Sequence, residues 1–278
     1  MAEPSYSRNE LVSELTSYYE FLTRLFLPPE VVQHPPEGGW EHITPAFVKS
    51  FCLGKNDTVA DLMRHIPYVS RTKEDHWDPW MVYEGATAVD FTGDVVLSLP
   101  TKYADEWLFE PFEGNISTAP LPPHVFVYAT IPSGRDGHYI LVDTERGTIV
   151  LADPQTGPKP TRLSDPQAPD EEAWRRFQTY TFHEFFAMAK EKFKKFEMIA
   201  MNRKQVYYTT RDTPQAQIYR EEGVFTERYD RERCMNRLDE YQEQEDRENR
   251  QKRGEEEPAG ASAERHIHDV GASSGAVS

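Results

Sequence analysis

Apolar positions along the chain follow one period at its start and another in its middle. From Asn9 to Phe26 they keep helical spacing, with Leu11, Leu15, Tyr18, Tyr19, Leu22, Leu25 and Phe26 on one stripe. Ser7 or Asn9 is placed to cap that helix, and Leu27-Pro28-Pro29-Glu30 stops it. Pro35-Pro36-Glu37-Gly38-Gly39-Trp40 reads as a loop. Thr44-Pro45 has the form of a cap followed by a first-turn proline, opening a short helix through Phe51. Asn56-Asp57-Thr58 opens another, with Val59, Leu62, Met63 and Ile66 as its buried face and Pro67 as its end.

The period then shortens. Thr87–Phe91, Val95–Leu99, Val125–Thr130, Tyr139–Val142 and Thr148–Leu151 are short β-prone runs separated by Gly, Pro and Asp. The later joins are too short for crossover helices, which predicts a mainly antiparallel sheet. Tyr139–Val142 and Thr148–Leu151 flank Asp143-Thr-Glu-Arg-Gly147, a hairpin whose Gly147 supplies the left-handed residue such loops need. Leu108–Pro123 and Asp153–Pro169 are proline-rich loops. Asp170–Met201 reads as a helical stretch, with Trp174, Phe177, Phe182, Phe185, Phe186, Met188, Ala189, Phe193 and Phe196 to cover the sheet. Beyond Arg203 large apolar residues thin out. Pro214 to Arg253 interleaves Arg and Glu as a solvated helix does, and Gly254 to Ser278 has the composition of a disordered tail.

The expected architecture is α+β: a mainly antiparallel sheet packed by N-terminal and C-terminal helices, with a charged helical and disordered tail. One domain is expected over 9–203, a charged helical extension over 204–253 and a tail over 254–278. A net charge of −16 argues against a nucleic-acid backbone or an acidic membrane leaflet as partner. The apolar runs are far short of a membrane span. The start of the sequence lacks a basic region followed by an apolar core, and Cys52 and Cys234 read as reduced thiols. An intracellular protein, cytoplasmic or nuclear, is the expectation.

Two constellations carry candidate chemistry. The first is the arm His138 and Asp153, at the two ends of the hairpin, with Cys52 upstream as nucleophile. Gly137-His138-Tyr139 and Ala152-Asp153-Pro154 are similar to the histidine strand and the Asp-Pro strand end of papain-like cysteine hydrolases. A thiol paired with an imidazole is activated by a lowered pKa. Against it, Cys52 falls near the end of a predicted helix, and no Gln precedes it as an oxyanion donor. The second constellation is a set of loop aromatics, Trp40, Trp77, Trp80, Tyr83, Trp107 and Phe109, interleaved with Asp75, Asp78, Asp90, Asp94, Asp105, Glu106 and Glu110. Loop aromatics supply large contact area at low entropy cost, as binding surfaces require, or they plug the core beneath long connections. His266-Ile-His268, the scattered His124, His138 and His183, and Asp75-His76-Trp77-Asp78 lack a metal-ligand pattern, and no phosphate-binding glycine loop occurs. No metal and no cofactor is expected.

The order of these motifs resembles the SMI1/KNR4 (SUKH) superfamily. A helix ending in Leu27-Pro28-Pro29-Glu30 precedes a Gly38-Gly39-Trp40 loop; later come the hairpin Asp136 to Val150 and the helix start Thr181-Phe182-His183-Glu184-Phe185-Phe186. The likeness covers residues 9–203. The chain also looks like proteins of filamentous fungi that share Pro35-Pro36-Glu37-Gly38-Gly39-Trp40 and Gly54-Lys55-Asn56-Asp57-Thr58. It departs from the family pattern in the longer, more helical stretch Gly54 to Trp80 and in the two expanded proline-rich loops. The resemblance implies a non-enzymatic protein-binding or regulatory domain whose partner is another protein. The alternative is a cysteine hydrolase using Cys52, His138 and Asp153.

Overall fold

Long runs of β-branched and aromatic residues in the middle of the chain form a six-stranded antiparallel meander, in the order β3-β4-β5-β6-β7-β8. Its strands are β3 (Met81–Tyr83), β4 (Ala86–Ala88), β5 (Val125–Thr130), β6 (Tyr139–Asp143), β7 (Thr148–Ala152) and β8 (Gln178–Thr181). This computed structural model describes residues 4–51, 54–72, 78–93, 111, 116–132, 136–209 and 212–253. It separates into two units, Met1–Leu238 and Asp239–Ser278.

Every residue of β5, β6 and β7 is buried, because the sheet is covered on both faces. Alternation sorts the side chains between those faces. Val125, Val127, Tyr139, Leu141, Val150 and Ala152 join Ile116, Leu121, Trp174 and Phe177 in one core cluster. The helices α1 (Arg8–Thr23) and α4 (Phe182–Lys194) pack on each other. Tyr18 meets Phe186 at 5.3 Å, and the Tyr128 hydroxyl on β5 donates to that of Tyr19 at 2.7 Å. α1 is capped by Ser7, and α4 carries a full capping box between Thr181 and Glu184.

Between them lie α2 (Pro45–Phe51) and α3 (Asp57–His65), the latter capped by the Asn56 side chain as its sequence predicts. β1 (Val32–Gln33) pairs with β2 (Tyr68–Val69), and β9 (Met198–Ala200) with β10 (Val206–Tyr208). Main-chain bonds from Met81 to the Lys204 carbonyl and from Gly85 to the Val206 carbonyl join β10 to β3.

Three sequence expectations change. Asp170–Met201 is not one helical stretch. It holds a 3-10 turn at Asp170–Arg176, the edge strand β8, then α4 and β9. Gln178-Thr-Tyr-Thr181 pairs with β7 across Thr148↔Thr181 to Leu151↔Gln178, so tertiary pairing overrides the helical pattern. The outer edge of β8 is covered rather than open: Thr161 and Ser164 hydroxyls donate to the Thr179 and Phe177 carbonyls, each at 2.5 Å. The run from Thr87 is strand only to Ala88, and Val95–Leu99 lies outside the described residues.

The first unit also extends past residue 203, to Leu238. β10, α5 (Pro214–Glu222) and the start of α6 (Arg231–Arg253) belong to it. Ala216, Tyr219, Cys234, Met235 and Leu238 are few but buried, and the Tyr219 hydroxyl donates to the Ala200 carbonyl at 3.1 Å. Glu222, 8% exposed, accepts from Arg233 Nε at 2.5 Å and from Arg237 Nη1 at 2.7 Å. Glu222→Ala leaves both guanidinium groups without that acceptor. Both guanidinium groups remain open to water, so the variant should lower the urea unfolding midpoint only modestly, with the slope unchanged. In the second unit the helix continues through Arg253. Gln242 bonds Asp246 and Gln244 bonds Glu248 one turn on, and the basic last turn suits the helix dipole.

His183 on α4 and Glu14 on α1 form a surface pair at 2.7 Å, and the hydrogen bond to Glu14 raises the His183 pKa. A raised histidine stabilises the fold below its unfolded value near 6.5 and loses that contribution as pH rises through its folded value. The side chain is 72% exposed, so the pair should contribute under about 1 kcal/mol. The thermal midpoint difference between the native chain and His183→Gln should shrink from pH 5.5 to pH 8.

Candidate functional site

The hairpin forms as its sequence predicts. Tyr139↔Ala152, Leu141↔Val150 and Asp143↔Thr148 are in register, and Gly147 takes a φ of 63°. Asp143 caps the turn, its Oδ1 accepting from the Glu145 and Arg146 main-chain N–H groups at 3.0 Å each. At the other end of the strands stand His138 and Asp153.

Two glycines build that end. Gly85, in the β3–β4 turn, and Gly137, just before β6, cross at backbone contact. A Cβ on Gly137 would lie 2.1 Å from the Gly85 oxygen, and one on Gly85 would lie 2.5 Å from the Gly137 Cα. The crossing brings the Glu84 carbonyl to 3.0 Å from His138 Nδ1 and sets the imidazole edge-on to the Tyr83 ring, centroids 5.4 Å apart. A carbonyl only accepts, so Nδ1 carries the proton and Nε2 presents its lone pair. Lys192 of α4 reaches the same place. Its ammonium donates to the Tyr83 hydroxyl at 2.7 Å, and that hydroxyl donates to Met188 Sδ at 3.8 Å.

Asp153 spends its carboxylate on its own turn. Oδ1 accepts from the Gln155 and Thr156 N–H groups at 2.8 and 3.1 Å, and Oδ2 accepts from the Thr156 hydroxyl at 2.5 Å. Among the described residues no hydrogen bond joins Asp153 to His138. They interact through charge alone: each shifts the other's titration. Burial lowers the His138 pKa and Lys192 adds to that, while the Glu84 carbonyl, Glu84 and Asp153 oppose it. Burial pushes the Asp153 carboxyl up, but its bonds to Thr156 and Gln155 and the nearby His138 outweigh it and leave it below its ordinary value. Burial also lowers the Lys192 pKa, against Glu84 and Glu197.

The folded pKa of His138 is below the unfolded value of about 6.5, so between the two the unfolded chain binds more protons. Stability therefore falls as pH drops below about 6.5 and levels off once pH is below the folded value. His138→Asn removes the titrating group. The native chain should lose more of its thermal midpoint than this variant between pH 7 and pH 5. Proton resonances of the imidazole should titrate below pH 6.5.

The sequence-predicted residues separate. His138 and Asp153 come together at one sheet end, and Cys52 lies outside the described residues. Of the aromatic set, Trp77, Trp107 and Phe109 also lie outside them. Tyr83 is fully buried, packed between His138 and Phe185, and is a core residue rather than part of a contact surface. Trp40 is half-buried; its Nε1–H donates to the Ile66 carbonyl at 3.0 Å and its ring packs on Tyr68. Trp80 is half-exposed beneath the Lys204 ammonium, 5.2 Å from its centroid. Sequence reasoning missed Glu84, Gly85 and Lys192 around His138. It also missed the large side chains the fold leaves outside, Tyr207 at 38%, Tyr208 at 63% and Phe225 at 47% exposed. Glu84-Gly85 and Asp136-Gly137 are visible as turn dipeptides, but nothing in their spacing says that they touch.

Among the described residues no group of three or more His, Cys, Asp and Glu is placed to hold a metal ion, and no helix is long and apolar enough to cross a membrane. Comparison with family models, with curated proteins and with solved structures found no match to this chain.

Proposed function

We propose that the chain is a protein-binding or regulatory module without catalytic activity. The observation that carries this reading is how the polar groups at the sheet end are used: His138 Nδ1 is bonded to the Glu84 carbonyl, and the Asp153 carboxylate is bonded within its own turn. Both residues hold loops in place. The exposed rings of Tyr207, Tyr208 and Phe225, and the half-exposed ring of Trp80, supply contact area for a partner. The resemblance to SMI1/KNR4 domains points the same way.

The test is affinity capture from extract of the source cells. The native chain should retain a defined protein, and Trp80→Ala, folded to the same thermal midpoint, should recover several-fold less of it. Equal recovery by the two would count against Trp80 as a contact. The second reading, a cysteine hydrolase, is favoured by the orientation of His138, whose Nδ1 is bonded while Nε2 has no hydrogen-bond partner among the described residues, and by the nearby charge of Asp153. It predicts that a thiol-directed hydrolase probe labels the native chain and not Cys52→Ser; the binding reading predicts no difference between them.

A further inference from the structure

At the sheet end α4 contributes a nucleophile, Lys192. The side chain is half-buried, its Nζ donates to the Tyr83 hydroxyl at 2.7 Å, and it forms no ion pair among the described residues. The lysines beside it are placed differently: Lys194 is ion-paired to Glu191 at 2.7 Å, and Lys195 is exposed. Lys190 is the near match, half-buried and bonded to an uncharged hydroxyl, Ser17 Oγ at 2.9 Å. An ammonium partly out of water with only a neutral partner is shifted toward its free amine. Burial lowers the pKa of both lysines in this way.

What separates Lys192 from Lys190 is an imidazole. Lys192 and His138 share the Tyr83 ring: Nζ stands 5.1 Å from its centroid, and the imidazole meets it edge-on with centroids 5.4 Å apart. His138 donates Nδ1–H to the Glu84 carbonyl, which leaves Nε2 as a base. The Lys192 charge acts on His138, as do those of Glu84 and Asp153, while Glu84, Glu197 and Lys159 act on Lys192. The charged neighbours of Lys190 are Glu14, Lys194, Glu20 and Arg24.

A free amine and a base for the proton it sheds are what aminolysis of an activated carbonyl requires. The product selects the electrophile. An amide at Nζ is neutral, so burial no longer opposes it, and its remaining N–H still donates to the Tyr83 hydroxyl. An imine formed with an aldehyde has no N–H until it is protonated, and protonation restores the half-buried charge. An acyl donor fits this place better than an aldehyde does.

We propose that Lys192 is a covalent modification site for small acyl thioesters, with His138 Nε2 taking the proton of the attacking amine. Nζ attacks the thioester carbonyl carbon, the C–N bond forms and the C–S bond breaks. The proton passes from nitrogen to Nε2 and then to the departing thiolate, while Nδ1 keeps its bond to Glu84. Each chain is modified once, without turnover, so the proposal goes beyond the binding-module reading and fails or stands apart from it.

The test is acetylation of the full chain by N,S-diacetylcysteamine, with the initial rate at each lysine read by peptide mass spectrometry. At pH 8 Lys192 should react at least ~10-fold faster than Lys190, a modest general-base effect. Far below the pKa of either lysine, both free-amine fractions fall together, so their rate ratio reports the imidazole alone. That ratio should drop through the pH at which the His138 resonances titrate in the same sample. In His138→Asn the two lysines should react alike. Should that substitution lower the thermal midpoint, the pH course of the ratio in the native chain decides. Equal rates at pH 8, or a ratio that stays constant through the His138 titration, overturns the proposal. Capture of a partner that depends on Trp80 would be untouched by either result.

Discussion

Gly137→Ala should destabilise the first unit by about 3 kcal/mol or more, enough to unfold a domain of ordinary stability in a large fraction of molecules. Two costs add. A φ of 148° lies where residues with a Cβ are strained, and the new methyl would sit 2.1 Å from the Gly85 carbonyl oxygen. Both partners in that contact are backbone, so no side chain can swing away. Relief requires separating the β3–β4 turn from the entrance to β6, and that breaks the Glu84 carbonyl bond to His138. Gly157→Ala is the control. Its φ is 71° and nothing lies within 4 Å of an added Cβ, so it carries only the left-handed term of about 1–2 kcal/mol. Urea denaturation of the three proteins measures the difference. Equal losses for the two variants would contradict the backbone crossing.

Trp174→Ala should cost about 3–5 kcal/mol. Trp174 is 1% exposed and sits with Phe177 against Val125, Val127, Leu141 and Val150 on one face of the sheet, so truncation opens a large cavity under its central strands. The indole Nε1–H is buried and has no hydrogen-bond partner among the described residues. Trp174→Phe therefore deletes an unpaired donor along with some volume, and should lose far less than the alanine variant. If phenylalanine proved as costly as alanine, the indole N–H would have to be engaged.

The hairpin was legible from sequence because β6 and β7 are unbroken apolar runs around a glycine turn, the pattern of strands buried on both faces. α1 and α3 were legible because Ser7 and Asn56 stand where caps belong and stop signals follow the apolar stripes. β8 was not, because four residues with two threonines and a tyrosine carry a weak preference that pairing with β7 decides. The reach of the first unit past residue 203 was hidden for a related reason: Tyr219, Cys234, Met235 and Leu238 are too sparse to mark a core by composition, yet each is buried. At the site, proximity of His138 to Asp153 followed from the hairpin. Which acceptor holds the imidazole did not, since Glu84 comes from a turn more than fifty residues away in sequence. Tyr83 reads as a loop aromatic and is interior because β3 is a sheet strand with α4 across it.

The most direct measurement is the pH dependence of Cys52 alkylation, followed by mass spectrometry of the Cys52 peptide in the native chain and in His138→Asn. If His138 is architecture, the rate rises as for an ordinary thiol with a pKa of about 8.5, and the substitution leaves the profile unmoved. A rate already at plateau below pH 7 in the native chain, and lost in His138→Asn, would show a thiolate–imidazole pair and contradict the non-catalytic account.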